Sequence, residues 1–201
     1  MGEPRLRQFS SSRPQAAVLV LHGGREHGTS VVPPWSLAYA RMVPFARDLA
    51  RQPSLAVFQL RYRVRGWNAP ALDPVVDARW ALGAIRQQHP DVPVVLVGHS
   101  MGGRVAFRVA DDPAVTAVCA LAPWCPPSDP VDQLAGRTVL IAHGTADRTT
   151  DPRQSQAYAK RAADIASVEL RWIEGEGHAM LGKPAVWRDL VRRFVLGTLV
   201  S

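Results

Sequence analysis

The chain has 201 residues, of which 47% are hydrophobic and 20% charged, and its formal net charge is +7. This length and composition are typical of one soluble globular domain, and no apolar run reaches the ~18 residues that a membrane span requires. Nearly all of the positive charge is arginine, spread along the chain without a basic run, which disfavours a nucleic-acid-binding protein. We interpret the charge as a solvated surface, with attraction of acidic substrates as the alternative.

The N-terminal segment and the cysteines also limit the class of protein. Residues 1–15 contain three arginines but no apolar stretch before a small-residue cleavage site, so no secretory signal is recognised and a cytoplasmic location is expected. We predict an N-terminal extension over residues 1–15 and a single domain over residues 16–201. Two cysteines are too few for a disulfide framework. A buried thiol at Cys119 and an incidental one at Cys125 are expected, with a disulfide between them as the alternative.

Short apolar runs alternate with longer segments of helical periodicity. Strands are predicted at residues 16–21, 55–60, 92–98, 115–121, 138–143 and 167–173, and helices at 35–51, 72–88, 101–110, 152–163 and 184–196. This alternation predicts an α/β fold: a mostly parallel, doubly wound sheet with helices on both faces. Ligands of such sheets bind at the carboxyl ends of the strands, so the residues directly after each strand are the functional candidates.

The strand at 92–98 runs into the sequence Gly98-His99-Ser100-Met101-Gly102, followed by a helix. This G-x-S-x-G pattern is typical of a sharp strand-to-helix turn, in which glycines allow close backbone approach and the serine hydroxyl is exposed at a helix N-terminus. The pattern predicts Ser100 as a nucleophile. A glycine-rich turn without chemistry is the alternative.

A serine nucleophile needs a base to remove its proton and an acid to orient that base. Asp147 follows the strand at 138–143, and His178 follows the strand at 167–173. The order Ser100, Asp147, His178 is the order found in α/β hydrolases and differs from those of chymotrypsin and subtilisin. We therefore predict these three as the catalytic residues. Other carboxylates remain open as the acid: Asp151, Glu174 and Glu176.

Acyl transfer also requires backbone donors for the negative oxygen of the transition state. The first strand ends in His22-Gly23-Gly24-Arg25, and we predict the N–H groups of Gly24 and Met101 as the oxyanion hole, with Arg25 as the alternative to Gly24. Alternatively, this segment forms only a tight turn and has no role in catalysis. His22 and His143, each preceding a glycine after a strand, are predicted to make structural hydrogen bonds.

Four segments together resemble the α/β-hydrolase superfamily over nearly the whole chain from about residue 16: HGG at 22–24, GHSMGG at 98–103, HGTAD at 143–147 and GEGH at 175–178. The resemblance implies the α/β-hydrolase fold and a Ser-His-Asp triad, with no cofactor and no metal. The segment before the first strand is too short for two extra strands, and residues 122–137 leave no room for a lid. The resemblance is therefore to a minimal, lidless serine esterase or lipase.

We expect a small-molecule ester substrate, cleaved through an acyl-enzyme on Ser100. A thioesterase or acyltransferase with the same triad is the alternative enzyme, and a binding protein of hydrolase fold is the alternative class. The oligomeric state is left open. The arginines among residues 61–65 are interpreted as part of a solvated loop; if one of them faced the site, an acidic acyl or alcohol group would be the alternative. The residues predicted to line the pocket are Arg25, Trp35, Trp67, Trp124 and Met180, with ordinary packing as the alternative for the tryptophans and Met180.

Overall fold

Seven strands form one sheet in the computed structural model, which describes residues 2–9 and 14–199. The strands are β1 (Arg5–Gln8), β2 (Ala16–Leu21), β3 (Leu55–Arg61), β4 (Val94–His99), β5 (Val115–Leu121), β6 (Thr138–Gly144) and β7 (Ser167–Ile173). The α-helices are α1 (Leu37–Leu49), α2 (Asp73–Gln88), α3 (Met101–Arg108), α4 (Pro152–Ala162) and α5 (Pro184–Gly197). The predicted alternation of strands and helices, and with it the α/β fold class, is confirmed.

The order of the strands brings two chain segments together at one point. The order is β1-β3-β2-β4-β5-β6-β7, and every neighbouring pair except β1 and β3 is parallel. From β2 the chain goes to β3 on one side and later returns to β4 on the other. Such a switch in direction leaves a crevice at the carboxyl ends of the central strands. The segments that follow β2 and β4, which carry Gly24 and Ser100, meet there.

Strand β1 lies within the segment that the sequence analysis assigns to an N-terminal extension. Residues Arg5–Gln8 pair antiparallel with β3, Arg5 opposite Arg61, and form one edge of the sheet. Only Leu6 packs against the core, and the other three side chains are exposed. A strand with one half-buried apolar residue gives no apolar run, which is why none was predicted here. Residues 1, 10–13, 200 and 201 of the predicted extension and domain lie outside the described residues.

Alternate residues of the strands form two hydrophobic cores, one on each face of the sheet. In β2, Leu19 faces the core beneath α2, α3 and α4, whereas Val18 faces the core beneath α1 and α5. Both faces are covered, so the central strands consist of continuous apolar runs. The two cysteines are free and buried, with Cys125 in the first core and Cys119 in the second.

The connections at the carboxyl ends of the strands are short. Residues 122–137 between β5 and β6 contain a single 3₁₀ turn, Asp132–Leu134, and no cap domain. The carboxyl edge of the sheet is therefore open, as expected for a lidless form of this fold. Among the helices of the described residues, none is long and apolar enough to cross a membrane.

Candidate active site

Ser100 occupies the turn between β4 and α3. Its backbone φ is +55°, in a region that residues other than glycine rarely adopt. The turn needs glycine on both sides because backbone atoms approach closely. A Cβ atom on Gly98 would lie 2.2 Å from the carbonyl oxygen of Gly102, and one on Gly102 would lie 2.4 Å from that of Leu21. The serine hydroxyl consequently stands at the N-terminus of α3, above the crevice.

A continuous chain of hydrogen bonds links the three residues predicted as a triad. Oγ of Ser100 lies 3.0 Å from Nε2 of His178, and Nδ1 of His178 lies 2.8 Å from Oδ2 of Asp147. Because a carboxylate accepts hydrogen bonds, the imidazole carries its proton on Nδ1 and presents an unprotonated Nε2 to the serine. This is the tautomer that can take a proton from the hydroxyl.

The Asp147 carboxylate receives several further hydrogen bonds. Oδ1 accepts from the N–H groups of Thr149 and Thr150 at 2.7 and 3.1 Å, and Oδ2 accepts from the Thr150 hydroxyl at 3.0 Å and from Nε2 of His143 at 3.1 Å. Burial alone would raise the pKa of Asp147, but the hydrogen bonds from His143, His178 and the two N–H groups outweigh it and hold the pKa well below its usual range. Asp147 is therefore ionised throughout the neutral range.

Of the other carboxylates that the sequence left open as the acid, two are engaged elsewhere and one is exposed. Asp151 caps α4, accepting from the N–H of Arg153 at 2.9 Å, and its side chain pairs with the Arg153 guanidinium. Glu174 is exposed. Glu176 is buried and accepts a hydrogen bond from Nε1 of Trp187 at 2.8 Å.

His99, which the sequence analysis placed only in the nucleophile turn, contacts the proposed base. Its Nε2 donates to the carbonyl oxygen of His178 at 2.9 Å, and the two ring centroids are 4.8 Å apart. Burial, followed by the nearby His178, lowers the pKa of His99 to about 3, so the ring is neutral. The bond ties the His178 loop to the residue that precedes the nucleophile.

His22 and His143 make the structural hydrogen bonds predicted for them. Nδ1 of His22 donates to the carbonyl of Gly23 at 2.6 Å, and Nε2 accepts from the N–H of Tyr62 at 3.2 Å. Burial lowers the pKa of His22 to about 4. His143 is fully buried and joins Ser155, at 2.7 Å, to the Asp147 carboxylate, a contact that its position after a strand did not reveal.

Two backbone N–H groups near Ser100 are available to a ligand. Within the described residues, the N–H groups of Gly24 and Met101 have no hydrogen-bond acceptor. The N–H of Arg25, the alternative donor, is bonded to the carbonyl of Arg65 at 2.9 Å. A Cβ atom on Gly24 would lie 2.3 Å from Cε of Met101, so the two segments pack as closely as glycine allows. The geometry favours Gly24 over Arg25.

Two cavities adjoin this arrangement and share Gly24 and Arg25. The Ser100 cavity, about 190 Å³, is lined by residues that include Gly24, Arg25, Ser100, Met101, Trp124 and Thr150. The Arg65 cavity, about 360 Å³, is lined by residues that include Gly23, Arg25, Val32, Trp35, Leu37 and Arg65. Of the residues predicted to line a pocket, Arg25, Trp35 and Trp124 lie at these cavities.

Trp67 and Met180 do not line either cavity, contrary to their prediction. Trp67 is buried, and the Arg104 guanidinium lies 3.9 Å from its ring centroid and 4.2 Å from that of Trp124. Arg104 in turn forms a buried ion pair with Asp129, through hydrogen bonds of 2.6 and 2.8 Å. Met180 is buried in the core beneath α1 and α5. Both residues follow a strand end, but their side chains turn into the interior.

Thr150 is a residue of the site that the sequence analysis missed. Its hydroxyl lies 3.1 Å from Nδ1 of His178, 3.0 Å from Oδ2 of Asp147 and 3.2 Å from the carbonyl oxygen of Ala122. No signal in the sequence singles out this threonine, because an aspartate can accept a bond from the backbone N–H of any residue that follows it in a turn.

Solved structures of other proteins share this fold at low sequence identity. An α/β serine hydrolase without a lid from Xanthomonas campestris superposes with a TM-score of 0.77 at 18% identity, covering 98% of this chain and 90% of that one. A thermophilic esterase from Thermogutta terrifontis, with butyrate bound, gives 0.74 at 21%, covering 98% and 88%. Est1E from Butyrivibrio proteoclasticus, with ferulic acid bound, gives 0.75 at 15%, covering 98% and 96%.

The comparison with protein-family models identifies the family. No curated protein matches the sequence. The model of an alpha/beta hydrolase domain matches residues 54–185, more than half of the chain, and this range includes the Ser100 turn, Asp147 and His178. The solved structures agree with that match in fold. The chain therefore belongs to the α/β-hydrolase family.

Proposed function

We propose that this hydrolase cleaves small or medium carboxylic esters through an acyl-enzyme on Ser100. The observation that carries the proposal is the hydrogen-bond chain from Ser100 Oγ through His178 to Asp147, with distances of 3.0 and 2.8 Å. The Ser100 end of this hydrogen-bond chain lies at an exposed crevice, beside the unpaired N–H groups of Gly24 and Met101. A nucleophile, a base in the required tautomer, an ionised acid and two donors are the set that acyl transfer needs.

In the first half-reaction, Oγ of Ser100 attacks the ester carbonyl carbon while Nε2 of His178 takes the hydroxyl proton. The tetrahedral oxyanion accepts hydrogen bonds from the N–H groups of Gly24 and Met101. Asp147 stabilises the imidazolium through Nδ1. The C–O bond to the alcohol then breaks, and His178 delivers its proton to the leaving oxygen, which leaves Ser100 acylated.

In the second half-reaction, water attacks the acyl carbon and gives a proton to Nε2 of His178. The same two N–H groups hold the second oxyanion. The bond to Oγ breaks, the serine recovers the proton from His178, and the carboxylic acid is released. The open crevice admits the alcohol portion of the substrate without a lid movement, since the 122–137 connection carries no cap domain.

The neighbouring structures support an ester substrate. The Thermogutta structure is of an esterase with butyrate bound, and the Xanthomonas protein is a serine hydrolase without a lid. The Ser100 cavity, about 190 Å³, can hold a short acyl or alcohol group.

The test is hydrolysis of p-nitrophenyl esters from acetate to decanoate at about pH 8. We expect turnover with a chain-length optimum in the wild type. Ser100→Ala and His178→Ala should each lower kcat by about 10⁴-fold or more. Ser167→Ala, a change in an exposed serine of β7, serves as the matched control and should retain full activity.

Labelling by a fluorophosphonate probe tests the nucleophile independently of the substrate. We expect one label per chain in the wild type and in Ser167→Ala, and none in Ser100→Ala. Near-wild-type turnover by folded Ser100→Ala, or labelling at another serine, contradicts the proposal. Faster cleavage of a matched thioester than of the ester would reassign the enzyme to thioester chemistry.

A further inference from the structure

The Arg65 cavity lies directly beside the nucleophile but is not needed by the triad. It adjoins the Ser100 cavity through Gly24 and Arg25. Its wall also includes Gly23, on which a Cβ atom would lie 3.3 Å from Cβ of Ser100. The two cavities therefore have a common wall beside Ser100.

The walls of the Arg65 cavity combine apolar surface with two arginines. Val32, Trp35 and Leu37 line it, and Trp35 and Leu37 are 78% and 81% exposed. Large apolar side chains at a concave surface are typical of a ligand site. Arg25 and Arg65 place positive charge in the same cavity.

Neither of these two guanidinium groups has a partner among the described residues. Arg63, which is two positions from Arg65, pairs with Asp73 at 3.0 Å and with Asp77 at 3.3 Å. Arg25 and Arg65 have no such ion pair, and Nε of Arg65 is buried with no hydrogen-bond partner. A guanidinium group without a partner at the wall of a cavity is free to pair with an anionic group of a ligand.

Two further features also make the electrostatic potential at the cavities positive. Helix α1 begins at this cavity, with Ser36 and Leu37 in its wall, and its first turn contains no acidic residue. The positive end of the helix adds to the charge of the arginines. Glu26 is the one carboxylate among the described residues that line the two cavities, and it lies exposed at the Ser100 cavity.

We propose that the Arg65 cavity binds a carboxylate at the far end of the acyl group, so that the preferred substrates are monoesters of short dicarboxylic acids. This inference rests on the ester hydrolysis proposed above. The planar guanidinium fork of Arg65 pairs with the two oxygens of a carboxylate. The methylenes of the acyl chain contact Val32 and Trp35, and the scissile carbonyl lies between Ser100 and the N–H of Gly24.

The test compares three p-nitrophenyl esters of equal chain length: the adipate monoester, its methyl ester and the hexanoate. Background hydrolysis is measured with Ser100→Ala. We expect wild-type kcat/KM to be about tenfold or more higher for the anionic ester, as charge-assisted hydrogen bonds imply, chiefly through a lower KM. The preference should shrink as salt is added.

The variants test which arginines carry the preference. Arg65→Gln should lower the ratio of adipate to hexanoate kcat/KM by about tenfold, Arg25→Gln by less, and Arg65→Lys should keep only part of it because it retains charge without the fork. Arg51→Gln is the matched control, since it removes an equal charge from an exposed residue at the far end of α1, and should leave the ratio unchanged.

The outcomes separate this inference from the proposed function. Equal or faster hydrolysis of hexanoate and methyl adipate by the wild type overturns the carboxylate subsite and leaves ester hydrolysis standing. A ratio that stays unchanged in folded Arg65→Gln also overturns it. Inhibition of the wild type by adipate but not by hexanoate supports it without any variant. Absence of Ser100-dependent turnover of every ester overturns the proposed function itself.

Discussion

Nε2 of His99 lies 2.9 Å from the carbonyl oxygen of His178, so the residue that precedes the nucleophile is bonded to the backbone of the residue proposed as its base. The two functional loops follow β4 and β7, which are separated in the sheet by β5 and β6. This backbone contact joins the two loops in addition to the bond between the Ser100 hydroxyl and the His178 imidazole, and so helps to set the distance between these two groups.

We predict that His99 is a positioning residue. His99→Ala should lower kcat for p-nitrophenyl esters by about 10 to 100-fold with little change in KM, because small misplacement of a catalytic group has effects of that size. His99→Gln can supply an amide N–H near the position of Nε2 and should restore most of the activity. If the alanine variant keeps its kcat, or the folded glutamine variant gives no rescue, the hydrogen bond does not position the base.

Asp147→Asn should lower kcat by about 10⁴-fold, because an amide donor in place of Oδ2 favours the wrong tautomer of His178. Asp151→Asn is the matched control: it changes the helix cap and should alter kcat less than twofold. Both variants are measured at several pH values with circular dichroism to check folding. Similar losses in the two variants would show that the loss does not come from the acid of the triad.

Stability should fall on mild acidification because of two buried histidines. The pKa values of His22 and His99 are lowered to about 4 and about 3, below the ~6.5 of an unfolded histidine. The unfolded chain therefore binds more protons below pH ~6.5, and the stabilisation that is complete above that pH is lost as the pH falls towards the folded-state values. Asp147, whose pKa lies below its usual range, adds to this loss only in stronger acid.

The expected loss between about pH 7 and pH 5 is about 2 kcal/mol of unfolding free energy for each histidine. Urea denaturation at the two pH values measures it, and His99→Gln should remove roughly half of the pH dependence contributed by the pair. A wild-type unfolding free energy that is unchanged between the two pH values would contradict the assignment of both rings as buried and neutral.

The ion pair of Arg104 with Asp129 allows the free energy lost on breaking a buried ion pair to be compared with that of an exposed one. Both side chains are at most 10% exposed, and Arg104 lies against Trp67 and Trp124. Asp129→Ala leaves a buried guanidinium without its partner and should cost about 3 to 5 kcal/mol. Tryptophan fluorescence during urea denaturation provides the measurement.

Asp111→Ala is the matched control for that experiment. Asp111 pairs with Arg79 at 2.7 Å, but both side chains are about half exposed, at 52% and 44%. Solvent screens such a pair, and its loss should cost less than about 1 kcal/mol. Equal effects of the two substitutions would mean that burial does not set the strength of these interactions.

The sequence alone predicts the central elements of the fold because both faces of the sheet are covered. Strands β2 and β4 are buried along their whole length; β2 is an uninterrupted apolar run, and β4 is apolar up to its last two residues, Gly98 and His99. Strand β1 was not predicted because an edge strand needs few apolar residues, and Arg5, Arg7 and Gln8 remain exposed. Its pairing with β3 depends on tertiary contact.

The nearness of Ser100, Asp147 and His178 could be predicted from the sequence, since each lies in the loop that follows a parallel strand of one sheet. Side-chain direction does not follow from position. Trp67 also follows a strand, yet it turns inward onto Arg104. The contacts of Thr150 and His143 with the carboxylate were likewise not predictable, because they depend on how the loop after β6 folds back on itself.

The placement of the two cysteines makes each helical layer observable by itself. Cys125 belongs to the core beneath α2, α3 and α4, and Cys119 to the core beneath α1 and α5. Burial raises the pKa of both thiols, that of Cys125 to about 12, so neither is a reactive thiolate while its layer is closed. Each of the single variants Cys119→Ala and Cys125→Ala keeps one thiol. The rate at which that thiol is alkylated under native conditions therefore measures how often its helical layer opens. The ratio of the two alkylation rates shows whether the two helical layers open together or one after the other.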